Sequence, residues 1–162
     1  MGFHANPHVN RPSAPADRGF ANQFPGLQGG SPMQIVADIL KSKSDPTVHT
    51  VGPAAMVFEA MRLMEEKHIG ALVVTEGGEI VGIVTQRDYA QKMGLRGRAS
   101  RSTPVRDIMT SPVISVRPDQ TSEDCMVLMG THHMRHLPVL NNGKLVGMVS
   151  IRDLVNDIIA NL

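Results

Sequence analysis

Apolar residues recur in two ways along this chain. Val57, Ala60, Met61 and Met64 stand at i, i+3, i+4 and i+7, which places them on one face of a helix. Ser122, Cys125, Met126 and Met129 take the same relative places further on. After each helix come two short, nearly continuous apolar runs of strand length. In the first half these are Leu72-Val73-Val74 and Ile80-Val81-Gly82-Ile83-Val84. In the second half they are Leu137-Pro138-Val139-Leu140 and Leu145-Val146-Gly147-Met148-Val149. Glu76-Gly77-Gly78-Glu79 and Asn141-Asn142-Gly143-Lys144 separate the runs, and a Gly after Gly or Asn supplies the positive φ of a hairpin turn. A short extended piece precedes each helix, Thr47 to Val51 and Val113 to Val116. Pro53 and Pro118 sit near the helix starts, where a missing N–H does little harm. A second helix is expected from Arg87 and from Arg152. The order is β-α-β-β-α, twice, an α+β fold.

The two halves are copies of one unit. Residues 46–88 set over 111–153 without a gap are identical at 15 of 43 positions. Upstream, Val36-Ala37-Asp38-Ile39-Leu40 echoes Val105-Arg106-Asp107-Ile108-Met109 once four extra residues are allowed in the first copy. One such unit buries too little surface to stand alone, so the copies are expected to share a core about a pseudo-two-fold axis. The predicted organisation is a tail over 1–31, a first repeat over 32–92, a linker over 93–103 and a second repeat over 104–162. The tail is rich in Pro, Gly and Asn and shows no helical or strand period, and is read as flexible.

Composition narrows the function. Aromatic residues make up 3% of the chain, too few for platforms that stack bases along a single strand. The net charge is +1, so a general affinity for nucleic acid is not expected and any use of positive charge must be local. The single cysteine, Cys125, excludes an intrachain disulfide and a cysteine-based zinc site, and suits a reducing cytoplasm. It lies on the apolar helix face and is expected to be an inert core residue. The apolar runs are far too short to span a bilayer and no signal-peptide pattern opens the chain. The expectation is a cytoplasmic protein that engages neither membrane nor nucleic acid.

The feature best suited to chemistry is Gly82-Ile83-Val84-Thr85-Gln86-Arg87-Asp88, repeated as Gly147-Met148-Val149-Ser150-Ile151-Arg152-Asp153. It falls where a strand ends and a helix begins, a junction with free backbone N–H groups and a positive dipole end. A carboxylate there can accept two ribose hydroxyls, and the adjacent Arg can contact phosphate oxygens. Gly82 and Gly147 are expected to let the backbone approach a ligand closely. Thr85-x-x-Asp88 and Ser150-x-x-Asp153 also read as capping boxes, a role compatible with binding.

The doubled unit, with its Gly-apolar-apolar-Ser/Thr-x-x-Asp ending, resembles a pair of CBS domains (cystathionine β-synthase domains), together a Bateman module. The resemblance covers about residues 33–160. It implies a regulatory, non-catalytic module that dimerises and binds an adenine-containing ligand in clefts between the copies. The ligands implied are AMP, ADP or ATP, with NAD or S-adenosylmethionine as others. Carried over, one cleft takes Thr85, Arg87 and Asp88 from the first copy. Opposite lie Thr110 and Val113, with Arg135, His136, Leu137 and Pro138, whose backbone would read the adenine edge while Asp88 holds the ribose. The other cleft takes Ser150, Arg152 and Asp153. Opposite lie Thr47, Val48 and His49, with Ile69, Gly70 and Ala71. On that side Val73 stands where Pro138 stands in the second copy, and the four extra residues precede Thr47.

Arg96, Arg98, Arg101 and Arg106, on or beside the linker, could join a phosphate chain, or serve as the charge of a solvated linker. His132-His133-x-x-His136 passes from a helix end into a strand, so its rings should diverge and no metal site is expected. His68 and His133 hold equivalent places and are expected to share a packing role at the helix end. No nucleophile elbow, Walker A loop or zinc-protease helix is present, and no catalytic residues are assigned. The reading is a homodimeric regulator of an unknown protein partner, switched by an adenine nucleotide. Its rivals are a structural dimerisation module with vestigial clefts, and a metal- or nucleic-acid-responsive regulator.

Overall fold

The computed structural model describes residues 9–10 and 34–162. The reading of 1–31 as a tail otherwise lies outside the described residues. The elements in chain order are β1 (Val9–Asn10), α1 (Val36–Ser42), β2 (Thr50–Val51), α2 (Val57–Lys67), β3 (Ala71–Glu76), β4 (Glu79–Thr85) and α3 (Gln86–Tyr89). A π turn (Ala90–Gly94), a 3-10 turn (Val105–Asp107) and β5 (Val113–Ile114) follow. α4 (Ser122–His132), β6 (His136–Asn141), β7 (Lys144–Ser150) and α5 (Ile151–Ala160) complete the chain. The α+β class and the β-α-β-β-α order stand as expected. Three boundaries differ. The second helices begin one residue earlier than expected, at Gln86 and Ile151. The extended pieces are regular only over Thr50–Val51 and Val113–Ile114. Pro53 and Pro118 lie in the turns ahead of α2 and α4 rather than in their first turns.

The chain divides into two compact units that exchange their leading segments. One comprises Val48–Ile114 with β1. The other comprises the described residues of Arg11–Thr47 together with Ser115–Leu162. Thus α1, at the start of the first repeat, belongs with the second unit, and the 3-10 turn at Val105, at the start of the second repeat, belongs with the first.

In the first unit β2 runs parallel to β3, and β3 and β4 form an antiparallel hairpin. Gly77 and Gly78 both have positive φ at its turn, the primed geometry that matches strand twist. α2 lays Val57, Ala60 and Met64 against Leu72, Val74 and Val84 of the sheet, with Met93, Val105 and Ile108 closing the core. Met61, expected on the same face, packs only partly buried at its edge. The N-terminus of α2 has no side-chain cap. The linker supplies one instead: Val57 N–H donates to Thr103 O at 2.8 Å and Phe58 N–H to Ser100 O at 2.9 Å.

The second unit repeats this plan. β6 and β7 form the hairpin, turning at Asn142 and Gly143 with positive φ. Val116 bridges Val139 in parallel, the counterpart of Val51 on Val74. On α4, Ser122, Cys125 and Met129 are buried. Here a capping box of Thr121 and Asp124 closes the helix start. His68 and His133 both take left-handed backbone at the ends of α2 and α4. Their shared role is therefore to stop the helix, with each backbone N–H turned back onto the last turn.

The two motif glycines do something other than expected. A Cβ on Gly82 would lie 2.6 Å from Met109 Sδ, and one on Gly147 would lie 2.7 Å from Leu40 Cδ1. The space that was to admit a ligand is filled by a side chain from the exchanged leading segment. The glycines serve to seat Met109 on β4 and Leu40 on β7. The strand partners of both glycines lie next to a register shift in the hairpin. Gly147→Val should therefore cost about 1–3 kcal/mol through overpacking. Chemical denaturation checks this, and the double variant with Leu40→Ala should recover part of the loss because the clashing side chain is gone.

Candidate functional site

Each Ser/Thr-x-x-Asp motif closes a strand and opens a helix in the same way. Thr85 at the end of β4 accepts from Asp88 N–H at 3.1 Å, and Asp88 Oδ2 accepts from Thr85 N–H at 3.0 Å. Ser150 at the end of β7 accepts from Asp153 N–H at 3.2 Å, and Asp153 Oδ2 accepts from Ser150 N–H at 2.8 Å. These are complete capping boxes. The capping reading of the motif is structural fact in both copies.

Beyond the cap the two carboxylates part company. Asp88 is buried, and its side chain is 9% exposed. Oδ2 also accepts from the Thr85 hydroxyl at 3.2 Å, while Oδ1 accepts from the Thr110 hydroxyl at 3.0 Å and forms an ion pair with the Lys92 ammonium at 3.1 Å. Two backbone bonds hold Thr110 there: Thr110 N–H donates to Ile83 O at 2.8 Å and Ile83 N–H to Thr110 O at 3.1 Å. Lys92 is further tied to Ile108 O at 2.9 Å. Both oxygens of Asp88 are engaged from within its own unit, by three hydrogen bonds and one ion pair.

Among the described residues Asp153 forms one ion pair, with Lys43. Its ammonium lies 3.1 Å from Oδ2 and donates to Met148 O at 2.8 Å. Met148 is the repeat equivalent of Ile83, so one lysine side chain serves both acceptors that the backbone and hydroxyl of Thr110 serve in the first unit. Oδ1 of Asp153 is left without a hydrogen-bond partner among the described residues. The Asp153 side chain is 14% exposed, enough to be reached.

The remaining candidates fall into place around these centres. In the first unit Gly70 O accepts from Gln86 N–H at 3.1 Å, and Ala71 pairs with Thr85 across the hairpin. Gly70 and Ala71, with Ile69 just before them, thus adjoin the motif of their own repeat. Val48, His49 and the buried Val113 belong to this unit, as does the exposed Arg87. A cavity of about 620 Å³ opens there between Phe58, Met61, Glu65, His68, Ile69 and Gln86. In the second unit Arg135 O accepts from Ile151 N–H at 2.9 Å, and His136 pairs with Ser150. Leu137 and Pro138 are buried strand residues beside them, Arg135 and Arg152 are exposed, and Thr47 ends the leading segment. Of the linker arginines, Arg101 lies over the Phe58 ring at 4.1 Å, a cation–π contact rather than a free charge.

Sequence reasoning missed Lys92 and Lys43. Lys92 left a signal, since Asp88 and Lys92 stand at i, i+4. Lys43 left none, because its partners Met148 and Asp153 lie more than a hundred residues away.

The ionisable groups agree with these placements. Burial, with Asp124 beside it, pushes the Cys125 thiol up to about 12, so it stays protonated and inert. Burial also lowers the His136 pKa below 6.5; Lys43 and Arg135 act in the same direction and Asp153 against it. Among the described residues no group of three or more His, Cys, Asp or Glu is placed to hold a metal ion, and no helix is long and apolar enough to cross a membrane.

Two β-α-β-β-α repeats, each ending in a capped Ser/Thr-x-x-Asp junction, define a paired regulatory module of the Bateman type. The chain belongs to the CBS domain family, which it matches over residues 36–94 and 105–160. It is similar to a putative signal-transduction protein with CBS domains from Burkholderia ambifaria, at 52% identity and a TM-score of 0.77. That match covers 79% of this chain and 96% of the other. The CBS domain-containing protein YhcV of Bacillus subtilis is 34% identical over 122 residues, which is 75% of this chain and 86% of YhcV. The CBS domain pair of protein MJ0100, solved with 5′-methylthioadenosine and S-adenosyl-L-methionine, is 25% identical with a TM-score of 0.67. That alignment takes in 81% of this chain and all of the other.

The depressed His136 fixes the sign of a pH effect. Below 6.5 the unfolded chain takes up this proton while the folded chain resists it, so the folded state loses stability as the pH falls through that value. The melting temperature should drop between pH 7.5 and 5.5, and His136→Gln should make that drop shallower.

Proposed function

We propose that this protein is a non-catalytic regulatory module that binds an adenine-containing ligand, with Asp153 receiving the ribose hydroxyls. The observation that carries this reading is Oδ1 of Asp153, which has no hydrogen-bond partner among the described residues, beside a capped helix start with exposed Arg152 and Arg135. A carboxylate fixed by its own cap pays little to receive a diol, because it is already oriented. His136, Leu137 and Pro138, expected opposite Asp88, lie on the strand paired with Ser150 in the unit of Asp153, and we assign them to its adenine edge instead. That MJ0100 holds two adenosine compounds supports an adenosine ligand over other classes. AMP, ADP and ATP are the first choices, with NAD and S-adenosylmethionine behind them. Of the other expected binding residues, Thr47 belongs to the unit that carries Asp153 and joins the proposed set.

A second reading is favoured at Asp88. Its oxygens are fully engaged by Thr85, Thr110 and Lys92. A ribose can enter there only if Thr110 or Lys92 gives way. At this motif the carboxylate acts as a structural tie, which is what a vestigial site would look like.

We further propose that the protein works as a homodimer in a reducing cytoplasm and passes its ligand state to a protein partner. Ile151, Val155 and Ile159 are exposed at i, i+4 and i+8 on α5, an apolar stripe that suits self-association. The lone cysteine is buried and unpaired, as a reducing compartment allows.

A thermal-shift series tests the reading. AMP, ADP, ATP, NAD and S-adenosylmethionine are each added to wild type, Asp153→Ala and Asp88→Ala. Ligand at about 100 times its Kd adds ~2.7 kcal/mol, or roughly 5–10 °C for a chain of this size. The rise should appear with wild type and Asp88→Ala and vanish with Asp153→Ala. Asp88→Ala should lower the ligand-free melting temperature, because Thr110 loses its acceptor and Lys92 its counter-ion. No rise with any ligand would leave the dimerisation scaffold as the better account.

A further inference from the structure

We propose that Lys43 decides the charge of the ligand accepted at Asp153, selecting a phosphate-bearing adenosine over an uncharged one. The inference rests on the reading of Asp153 as the ribose site and names the group that sets its selectivity.

A carboxylate without a counter-ion would repel a phosphate brought in beside the ribose. Lys43 removes that obstacle, since its ammonium lies 3.1 Å from Asp153 Oδ2 and makes the pair neutral. An ammonium carries three N–H donors. One donates to Met148 O at 2.8 Å, while Asp153 Oδ2 holds the ammonium as an ion pair. No other acceptor for the ammonium is found among the described residues, so it keeps donor capacity. The lysine side chain is 23% exposed, so the ammonium can meet a ligand.

The surroundings add to this bias. The bond from Ile151 N–H to Arg135 O brings Arg135 next to the helix start that carries Arg152, and both side chains are exposed. With the Asp–Lys pair neutral, these guanidinium groups leave the site positive. His136, held neutral by burial, does not change that balance near pH 7.

Lys43 also sits where chance placement is hard to sustain. It follows directly on α1, where a C-cap backbone N–H to Leu40 O turns the chain away from the helix. Its partners lie on β7 and α5. Leu40, three residues earlier, is the side chain seated on Gly147 of the same strand. Gly147 and Leu40 therefore position the segment, and the segment delivers the ammonium.

Isothermal titration of the full chain with AMP and with adenosine tests the proposal, using wild type, Lys43→Met and Lys43→Arg. Wild type should bind AMP at least about tenfold more tightly than adenosine, the scale of one charge-assisted bond. Lys43→Met should bring the AMP-to-adenosine ratio close to one while keeping adenosine affinity within about threefold. Lys43→Arg should keep the preference. Retained adenosine binding in Lys43→Met shows that the variant is folded. An unchanged ratio in Lys43→Met, or a wild-type ratio near one, overturns the proposal and leaves the ribose site standing. Should Lys43→Met bind neither ligand, Lys43→Arg decides: a kept preference supports the role of the charge, and a lost one overturns it. Failure of wild type to bind either compound removes the ribose site itself, and this role with it.

Discussion

The structure depends on a carboxylate placed three residues after the end of a strand. Asp88 and Asp153 each turn back to the backbone N–H of their own N-cap residue and so fix where the hairpin stops and the helix begins. A helix start leaves several N–H groups without partners, and a reciprocal cap satisfies two of them at once. α3 has only four residues before the chain passes into a π turn, so it has little helix of its own to hold it in place. The cap is what makes this junction definite. It is also what orients the oxygen that a ligand would meet.

The two repeats show how the same constraint is met with different side chains. In the first unit Thr110 uses its N–H on Ile83 O and its hydroxyl on Asp88. In the second, Lys43 reaches Met148 O and Asp153 with a single ammonium. The first solution closes the carboxylate completely, with Lys92 completing the set. The second leaves one oxygen without a hydrogen-bond partner among the described residues. Near-identical motifs thus end in one structural tie and one candidate binding group. The difference comes from the leading segments, not from the motifs. Four extra residues separate α1 from β2 in the first copy, and the lysine lies within that longer connection.

The motif glycines carry the same lesson. In sequence, Gly82 and Gly147 look like places where a ligand approaches the backbone. In the fold they accommodate Met109 and Leu40, which anchor the exchanged leading segments onto β4 and β7. A glycine in a strand marks close approach, but its pattern alone does not say whether a ligand or a side chain approaches. The exchange matters for stability as well. Val105 and Ile108 are fully buried in the first core, and Val36 and Ile39 are buried in the second unit. Neither repeat, taken as a contiguous stretch of sequence, contains all of its own core.

What the sequence by itself determined is whatever depends on near neighbours in the chain. The helix faces of α2 and α4, the hairpin turns at Gly77-Gly78 and Asn142-Gly143, and both capping boxes follow from spacings of four residues or fewer. The repeat, and with it the CBS pair, was legible because identical residues recur at a constant offset. Tertiary structure decided the rest. That Thr110 closes Asp88, that Lys43 reaches Asp153, and that Met109 and Leu40 occupy the glycine notches all involve residues brought together by folding. Local spacing fixes which groups a backbone turn can satisfy. Only the packing of distant segments decides which oxygens are left over, and the binding proposed for this protein rests on that remainder.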